Sequence, residues 1–208
     1  MSLYRRIEKP VSNYLWTICI LTLSNRAELL DRLLSVLRPQ INRDSVQLLW
    51  LGDNKSMSVG EKRNKIREMA SGQYVSFIDD DDLVTEDYVS EVLKAIEQKP
   101  DVVSFFVQRN HNGKVYRMHR YSKSYGANHL DPDRSAGYRF YNMLPDHLCV
   151  WRRELALQRT FHDRNIREDH IWAEEMRLYY PNYSEISITK ILYIYDYQTE
   201  GSETHQQR

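Results

Sequence analysis

The sequence predicts an α/β protein built on a mostly parallel sheet flanked by helices, with a smaller β and irregular region in its second half. Three observations carry this. Tyr14–Leu23 (YLWTICILTL) is an almost continuous apolar run, as expected of a strand buried on both faces. Three more β-rich runs follow, at Val46–Leu51, Tyr74–Ile78 and Asp101–Val107. A helical pattern separates each run from the next. The order β-α-β-α-β-α-β over the first hundred residues or so requires parallel strands joined by crossover helices.

Each helix has its own start and stop signals. Asn25-Arg26-Ala27-Glu28 reads as a capping box with Asn25 at the N-cap. The apolar stripe that follows is Leu29, Leu30, Leu33, Leu34 and Leu37, and Pro39 ends it. Ser58-Val59-Gly60-Glu61 is a second box, opening a helix that runs to about Ala70. Thr85-Glu86-Asp87 caps a third, with Val89, Val92, Leu93 and Ile96 on one face and Lys99-Pro100 closing it. Residues 1–13 read as a polar lead-in. Asn112-Gly113 signals a hairpin turn, and 121–146 reads as irregular. His147–Trp151 and Ser187–Tyr197 suit strands, Glu168–Tyr179 suits a helix, and a polar tail follows. The whole, 1–208, is expected to form a single domain.

Composition narrows the function. The 208 residues carry 29 basic and 29 acidic side chains, so bulk attraction to nucleic acid is not expected. No apolar run is long enough to span a bilayer, and no basic-then-apolar signal segment opens the chain. Cys19 and Cys149 form neither a disulfide framework nor a zinc site, which suits a reducing, cytoplasmic setting.

The chemistry concentrates where the third strand stops. Val75–Val84 reads VSFIDDDDLV, an apolar strand running into four consecutive carboxylates. Such a cluster suits a hard divalent cation, which takes oxygen ligands. Alternate side chains of a tight turn point one way, so Asp79 and Asp81 would share an ion while Asp80 and Asp82 cap and brace. A solvated acidic turn ahead of the Thr85 helix is the plainer alternative. Ligands of open α/β sheets bind beyond the carboxyl ends of strands. Asn25, Asp53 and the Asp79 cluster all fall at such ends.

In order and spacing, ICILTLSNRAELLDRLLSVL, LLWLGDNKS and GEKRNKIREMASGQYVSFIDDDD resemble the N-terminal half of an inverting family 2 glycosyltransferase of the Rossmann-like GT-A fold. The resemblance covers about residues 15–90. It implies a nucleotide-sugar donor, UDP-linked, bound by 1–107, with 108–208 taking a carbohydrate or other hydroxyl acceptor. Carried over by position, Ser24 and Asn25 lie along the nucleoside and Asp53 accepts from the base. Asp79 faces ribose or metal, Asp81 holds Mn²⁺ or Mg²⁺, and Arg63 reaches the nucleotide, although a solvated helix face explains neighbouring Lys62 and Arg67 as readily. Thr22, Ser24 and Lys55 depart from the family's usual Pro, Tyr and Gly.

Displacement at an anomeric carbon also needs a base for the acceptor hydroxyl. Arg167-Glu168-Asp169-His170 is similar to the family's E-D pair, which makes Asp169 the base and Glu168 the residue that orients the acceptor. Acidic residues complementing a helix dipole are the alternative. His205, in the tail, would complete the metal's ligands as a late-loop histidine does in similar enzymes, or it is simply solvated. Asp146 and His147 fall where similar enzymes place an acceptor-facing loop.

Between Arg109 and Phe140, seven basic residues stand against Asp131 and Asp133, 7 − 2 = +5, interleaved with Tyr116, Tyr121, Tyr125 and Tyr138. Arginine among aromatics suits sugars, phosphates or bases. A polyanionic acceptor is therefore open, a phosphorylated glycan ahead of a nucleic acid, against a plain solvated insertion. Two other classes compete. A nucleotidyltransferase would want a glycine-rich loop after the first strand, where LTLSNRAELL has none. A catalytically silent binding module would have little use for the carboxylates together.

Overall fold

The computed structural model describes residues 3–7, 14–42, 44–131 and 139–197. In chain order the strands and helices are β1 (Leu3–Ile7), β2 (Trp16–Leu23), α1 (Ala27–Leu37), β3 (Val46–Asp53), α2 (Val59–Met69), β4 (Tyr74–Asp79), β5 (Leu83–Val84) and α3 (Tyr88–Ile96). The second half adds β6 (Val102–His111), β7 (Lys114–Tyr121), β8 (His129–Leu130), β9 (Arg139–Met143), β10 (Val150–Arg152), α4 (Arg153–Ala156), α5 (Glu168–Tyr179) and β11 (Glu185–Tyr197). Among the described residues no helix is long and apolar enough to cross a membrane.

The α/β fold is as the sequence predicts, with β3, β2 and β4 parallel and side by side. The path β1-β3-β2-β4-β10-β6-β7-β9-β8 differs from a simple parallel order in one respect. β6 runs in the same direction as β4 but does not touch it, because β10 lies between them, antiparallel to both. The wedge is held by packing. Trp151 of β10 is buried, its ring meets Trp172 at 5.2 Å and Tyr183 at 5.0 Å, and its Nε1 donates to Asp146 O. β6 then divides its edges. β11 follows it in parallel along one side, while β10 takes its first residues and β7 its later ones on the other. Since β10 reaches β4 only at Tyr74 and Val75, the carboxyl end of β4 faces the β6–β7 half across a gap. The cavity forms there.

Local expectations fared unevenly, for physical reasons. Ser58 caps α2, accepting from Glu61 N at 3.0 Å. Asn112 and Gly113 adopt φ 48° and 74°, a hairpin turn with both central residues left-handed. α5 spans Glu168–Tyr179 as read. Asn25, however, is exposed and does not cap α1. Arg26 holds the N-cap position, where a guanidinium has no acceptor to offer the first N–H groups, and its side chain reaches the aspartate turn instead. Within Thr85-Glu86-Asp87 the N-cap of α3 is Asp87, whose side chain does not cap: its Oδ1 accepts from the Thr85 hydroxyl at 2.7 Å, and Val89 N is satisfied by Gln40 Oε1. The lead-in contains a strand, β1, antiparallel to β3. The segment 121–146 is less irregular than expected, since β8 and β9 lie in it, and His147 to Cys149 precede β10 rather than belonging to it.

Gly60 has a role that no turn explains. It sits in the first turn of α2, and a Cβ added there would lie 1.8 Å from His162 O. The close approach lets Gly60 N donate to Arg164 O at 3.1 Å and Val59 N to Asn165 Oδ1 at 3.0 Å. Asn64, one turn on, bonds both the carbonyl and the amide of Phe161. The α2 helix thereby fixes the segment that delivers α5. Gly60→Ala is expected to destabilise the fold by about 1–3 kcal/mol, as overpacking does. Urea denaturation would show the loss. A variant with unchanged stability would mean the segment yields freely.

Candidate active site

The carboxyl ends of β2 and β4, the start of α5 and the 144–148 loop enclose a cavity of about 470 Å³. The aspartate turn forms one wall, and its four side chains divide as the sequence suggests. Asp80 and Asp82 are buried, whereas the Asp79 and Asp81 side chains are 33% and 42% exposed. Asp80 accepts from Thr22 Oγ1 at 2.6 Å and pairs with Arg26 Nη1 at 2.9 Å. Burial pushes its carboxyl up to about 6 against the pull of Arg26. Asp82 accepts from Tyr193 OH at 2.6 Å and Asp196 N at 3.0 Å, tying the turn to β11. Burial, with Asp81 and Asp79 beside it, raises its carboxyl well above the ordinary range.

The two partly exposed carboxylates of the turn meet cations of the protein. Asp81 pairs with Arg26 Nη2 at 2.6 Å. Asp79 has Arg63 Nη2 at 3.2 Å and His147 Nε2 at 3.8 Å. Burial raises Asp79, but Arg63 and His147 outweigh it and hold the carboxyl well below the usual range. Asp79 is therefore an anion, and both side chains offer hard oxygen donors to the cavity. That donor set fits a divalent cation. His205 lies outside the described residues.

The base candidate stands across the same cavity. Arg167, the N-cap of α5, is left-handed at φ 66°, which turns the helix start inward. Glu168 is buried against Arg63 Nε at 3.2 Å, and Asp169 remains 23% exposed at its side chain. His147 connects the two sides. Its Nδ1 lies 3.7 Å from Asp169 Oδ2 and 3.8 Å from Asp146 Oδ1, and neither buried ring nitrogen has a hydrogen-bond partner. Burial and Arg63 disfavour its charged form, but Asp146 and Asp79 prevail and raise it. Ligand atoms of Asp146, His147 and Asp169 come within 4.8 Å of one another, a second place where a metal could be held.

Other predicted residues sit further back. Asp53 is buried, with Oδ1 on Lys62 Nζ at 2.5 Å and Oδ2 accepting from Met57 N and Ser56 Oγ. Ser24 and Asn25 are exposed beyond the cavity lining, and Ser24 N donates to Asp53 O at 2.7 Å. Lys55, where the resemblance expects glycine, takes glycine's left-handed conformation at φ 68°. The turn is kept without the residue that suits it best.

Lys62 and Arg67 do not lie on a solvated helix face, and neither does Arg63. All three are buried. Arg67 donates to Ala156 O, Arg159 O and Asn64 Oδ1, and Lys62 donates to Thr22 O as well as Asp53. Composition accounts for this: α2 has too few apolar residues to cover a face, and Gly60, Lys62, Arg63, Ile66 and Arg67 form its buried side.

Carboxylates at the strand ends of a mostly parallel sheet, with an acidic helix start across the cavity, define an α/β protein with its candidate site at the carboxyl edge of the sheet. The chain belongs to glycosyl transferase family 2, whose sequence profile matches residues 19–160. The match includes the aspartate turn and ends before Glu168. Among solved structures, S. aureus TarS 1-349 in complex with UDP-GlcNAc aligns with a TM-score of 0.61 at 16% identity, over 93% of this chain and 61% of that one. The mannosyltransferase PcManGT from Pyrobaculum calidifontis, in complex with GDP-Man and Mn²⁺, aligns with a TM-score of 0.61 at 12% identity, over 98% and 63%. These likenesses show the GT-A fold. The chain spans about three-fifths of the length of TarS 1-349 and of PcManGT. No curated protein matches by sequence.

Proposed function

We propose that this chain transfers a sugar from a nucleoside diphosphate donor, UDP-linked, to an acceptor hydroxyl, with inversion at the anomeric carbon. The observation that carries the reading is the arrangement of the partly exposed Asp79, Asp81 and Asp169 around one cavity, while Asp80 and Asp82 are buried against protein partners. Residues 1–107 form the donor half and 108–208 the acceptor half. Ser24 and Asn25 flank the nucleoside and Asp53 meets the base, which requires Lys62 to share it. Asp79 and Asp81, with His205, hold Mn²⁺ or Mg²⁺, which supplies neutralising charge to the diphosphate when bound. The bound UDP-GlcNAc of TarS and the GDP-Man and Mn²⁺ of PcManGT support such a donor and ion.

Asp169 takes the proton from the acceptor hydroxyl as that oxygen forms a bond to the anomeric carbon and the carbon–phosphate-oxygen bond breaks. The acceptor oxygen's proton stays on the Asp169 carboxylate, and the bonding pair leaves with the nucleoside diphosphate. Glu168, clamped by Arg63, orients the acceptor and keeps the helix start in place.

Calorimetry with UDP tests the reading. A diphosphate brought to Asp79 and Asp81 adds anions to anions, so affinity is expected to fall sharply when a chelator replaces Mn²⁺ or Mg²⁺. Equal affinity in the two conditions would mean that Arg26 and Arg63 serve the phosphates themselves, and the metal assignment would be wrong.

A further inference from the structure

We infer that the acceptor is an anionic chain, a glycan or polyol carrying closely spaced phosphate or carboxylate groups, held along a row of arginines that leads out of the cavity. The inference rests on the glycosyl-transfer reading and names its second substrate. The row follows from register. Tyr195 of β11 pairs with Arg109 of β6, Arg109 with Arg117 of β7, and Arg117 with Arg139 of β9. Residues paired across a sheet project from the same face, so three arginines stand in a row on neighbouring strands, which lie roughly 4.8 Å apart.

Like charges directly opposite one another destabilise a sheet. Elsewhere the chain avoids the problem, since Arg32 pairs with Asp196, Arg120 with Asp131 and Arg152 with Asp101. Among the described residues, Arg109, Arg117 and Arg139 have no carboxylate partner. The buried Nε atoms of Arg109 and Arg117 lack an acceptor, as does Nε2 of buried His119 one pair further along β7. His119 is pushed down to about 3 by burial and by Arg109 and Arg117, so it stays neutral at pH 7 and the charge of the row is carried by the arginines alone. Arg109, His119 and Tyr195 line the cavity, while Arg117 and the exposed Arg139 continue beyond its lining. The row thus begins in the cavity that Asp169 also lines and ends at the surface.

The aromatics distinguish an anionic glycan or polyol from a nucleic acid. Bases need open ring faces to stack on. Here Tyr195 already has Arg109 3.7 Å from its ring centroid, and Tyr141 has Arg117 at 5.4 Å and His119 at 5.4 Å. These rings steady guanidinium groups and leave the charged edges for an anion.

The test uses the full chain, with fluorescently labelled linear polyphosphate as probe and neutral dextran and a single-stranded oligodeoxynucleotide as competitors. Polyphosphate is expected to bind and to be displaced poorly by both. Arg117→Gln and Arg139→Gln are each expected to weaken it and to lower the slope of log affinity against log salt by about one. Arg177→Gln, whose cation pairs with Glu174 elsewhere, serves as control and is expected to change nothing. UDP calorimetry on the same samples is expected to match the wild-type chain. Unchanged polyphosphate affinity in the Arg117→Gln/Arg139→Gln double variant would overturn the row. An oligonucleotide that outcompetes polyphosphate at equal phosphate concentration would overturn the choice of acceptor class. Failure of the wild-type chain to bind UDP would instead refute the glycosyl-transfer reading beneath it.

Discussion

Asp169→Asn is expected to lower sugar transfer by about 10²–10⁴-fold, the usual contribution of a general base, while UDP affinity stays near that of the wild-type chain. The separation follows from position. Asp169 lies across the cavity from Asp81, and the group it faces within the protein is His147, 3.7 Å away. An amide of the same shape keeps the bond from His170 N to the side-chain oxygen and removes only the proton acceptor. Glu168→Gln should behave differently. Glu168 is buried on Arg63, so losing its charge weakens the attachment of α5 to α2 and lowers stability together with activity. Transfer assays, UDP calorimetry and thermal melts on both variants separate the roles. Transfer unaffected by Asp169→Asn would move the base elsewhere, with Asp146 the next carboxylate along His147. Product with retained configuration would overturn the single displacement itself.

What could be read from the sequence was whatever depends on local pattern. The four central strands, the Ser58 cap, the Asn112-Gly113 turn and the extent of α5 each follow from neighbours within a few residues. So does the division of the aspartates, because alternation in a tight turn is a local property. What escaped depends on contacts between distant segments. The insertion of β10 between β4 and β6 requires knowing that Trp151 will find Trp172 and Tyr183. At the start of α1, Arg26 rather than Asn25 holds the cap position and reaches residues 54 and 55 positions away. The arginine row is the clearest case. The sequence shows an excess of +5 between Arg109 and Phe140. Only strand register reveals that three of those charges are neighbours, while Arg120, equally basic in composition, pairs with Asp131.

Arg63→Met is expected to destabilise the chain by about 3–5 kcal/mol, the usual cost of removing one member of a buried ion pair. For a domain of this size that corresponds to a fall in Tm of roughly 6–20 °C. Arg63 is buried between Asp79 and Glu168, with the rings of Phe77 and Phe161 5.2 Å and 5.9 Å from its guanidinium carbon. Methionine fills much of the same space among those rings but supplies no charge, so Glu168 is left as an uncompensated buried anion. Asp79 suffers less, because it is partly exposed and keeps His147. The asymmetry gives the control. Arg63→Met/Glu168→Gln removes the stranded charge and is expected to recover a substantial part of the loss, whereas Arg63→Met/Asp79→Asn is expected to recover less. Added Mn²⁺ should raise the Tm of Arg63→Met more than that of the wild-type chain, because the ion no longer competes with a guanidinium for Asp79. Differential scanning calorimetry on the four proteins, with and without Mn²⁺, measures all three differences. An Arg63→Met variant melting within a degree or two of the wild-type chain would show that the buried cation is not what holds the two halves of the site together.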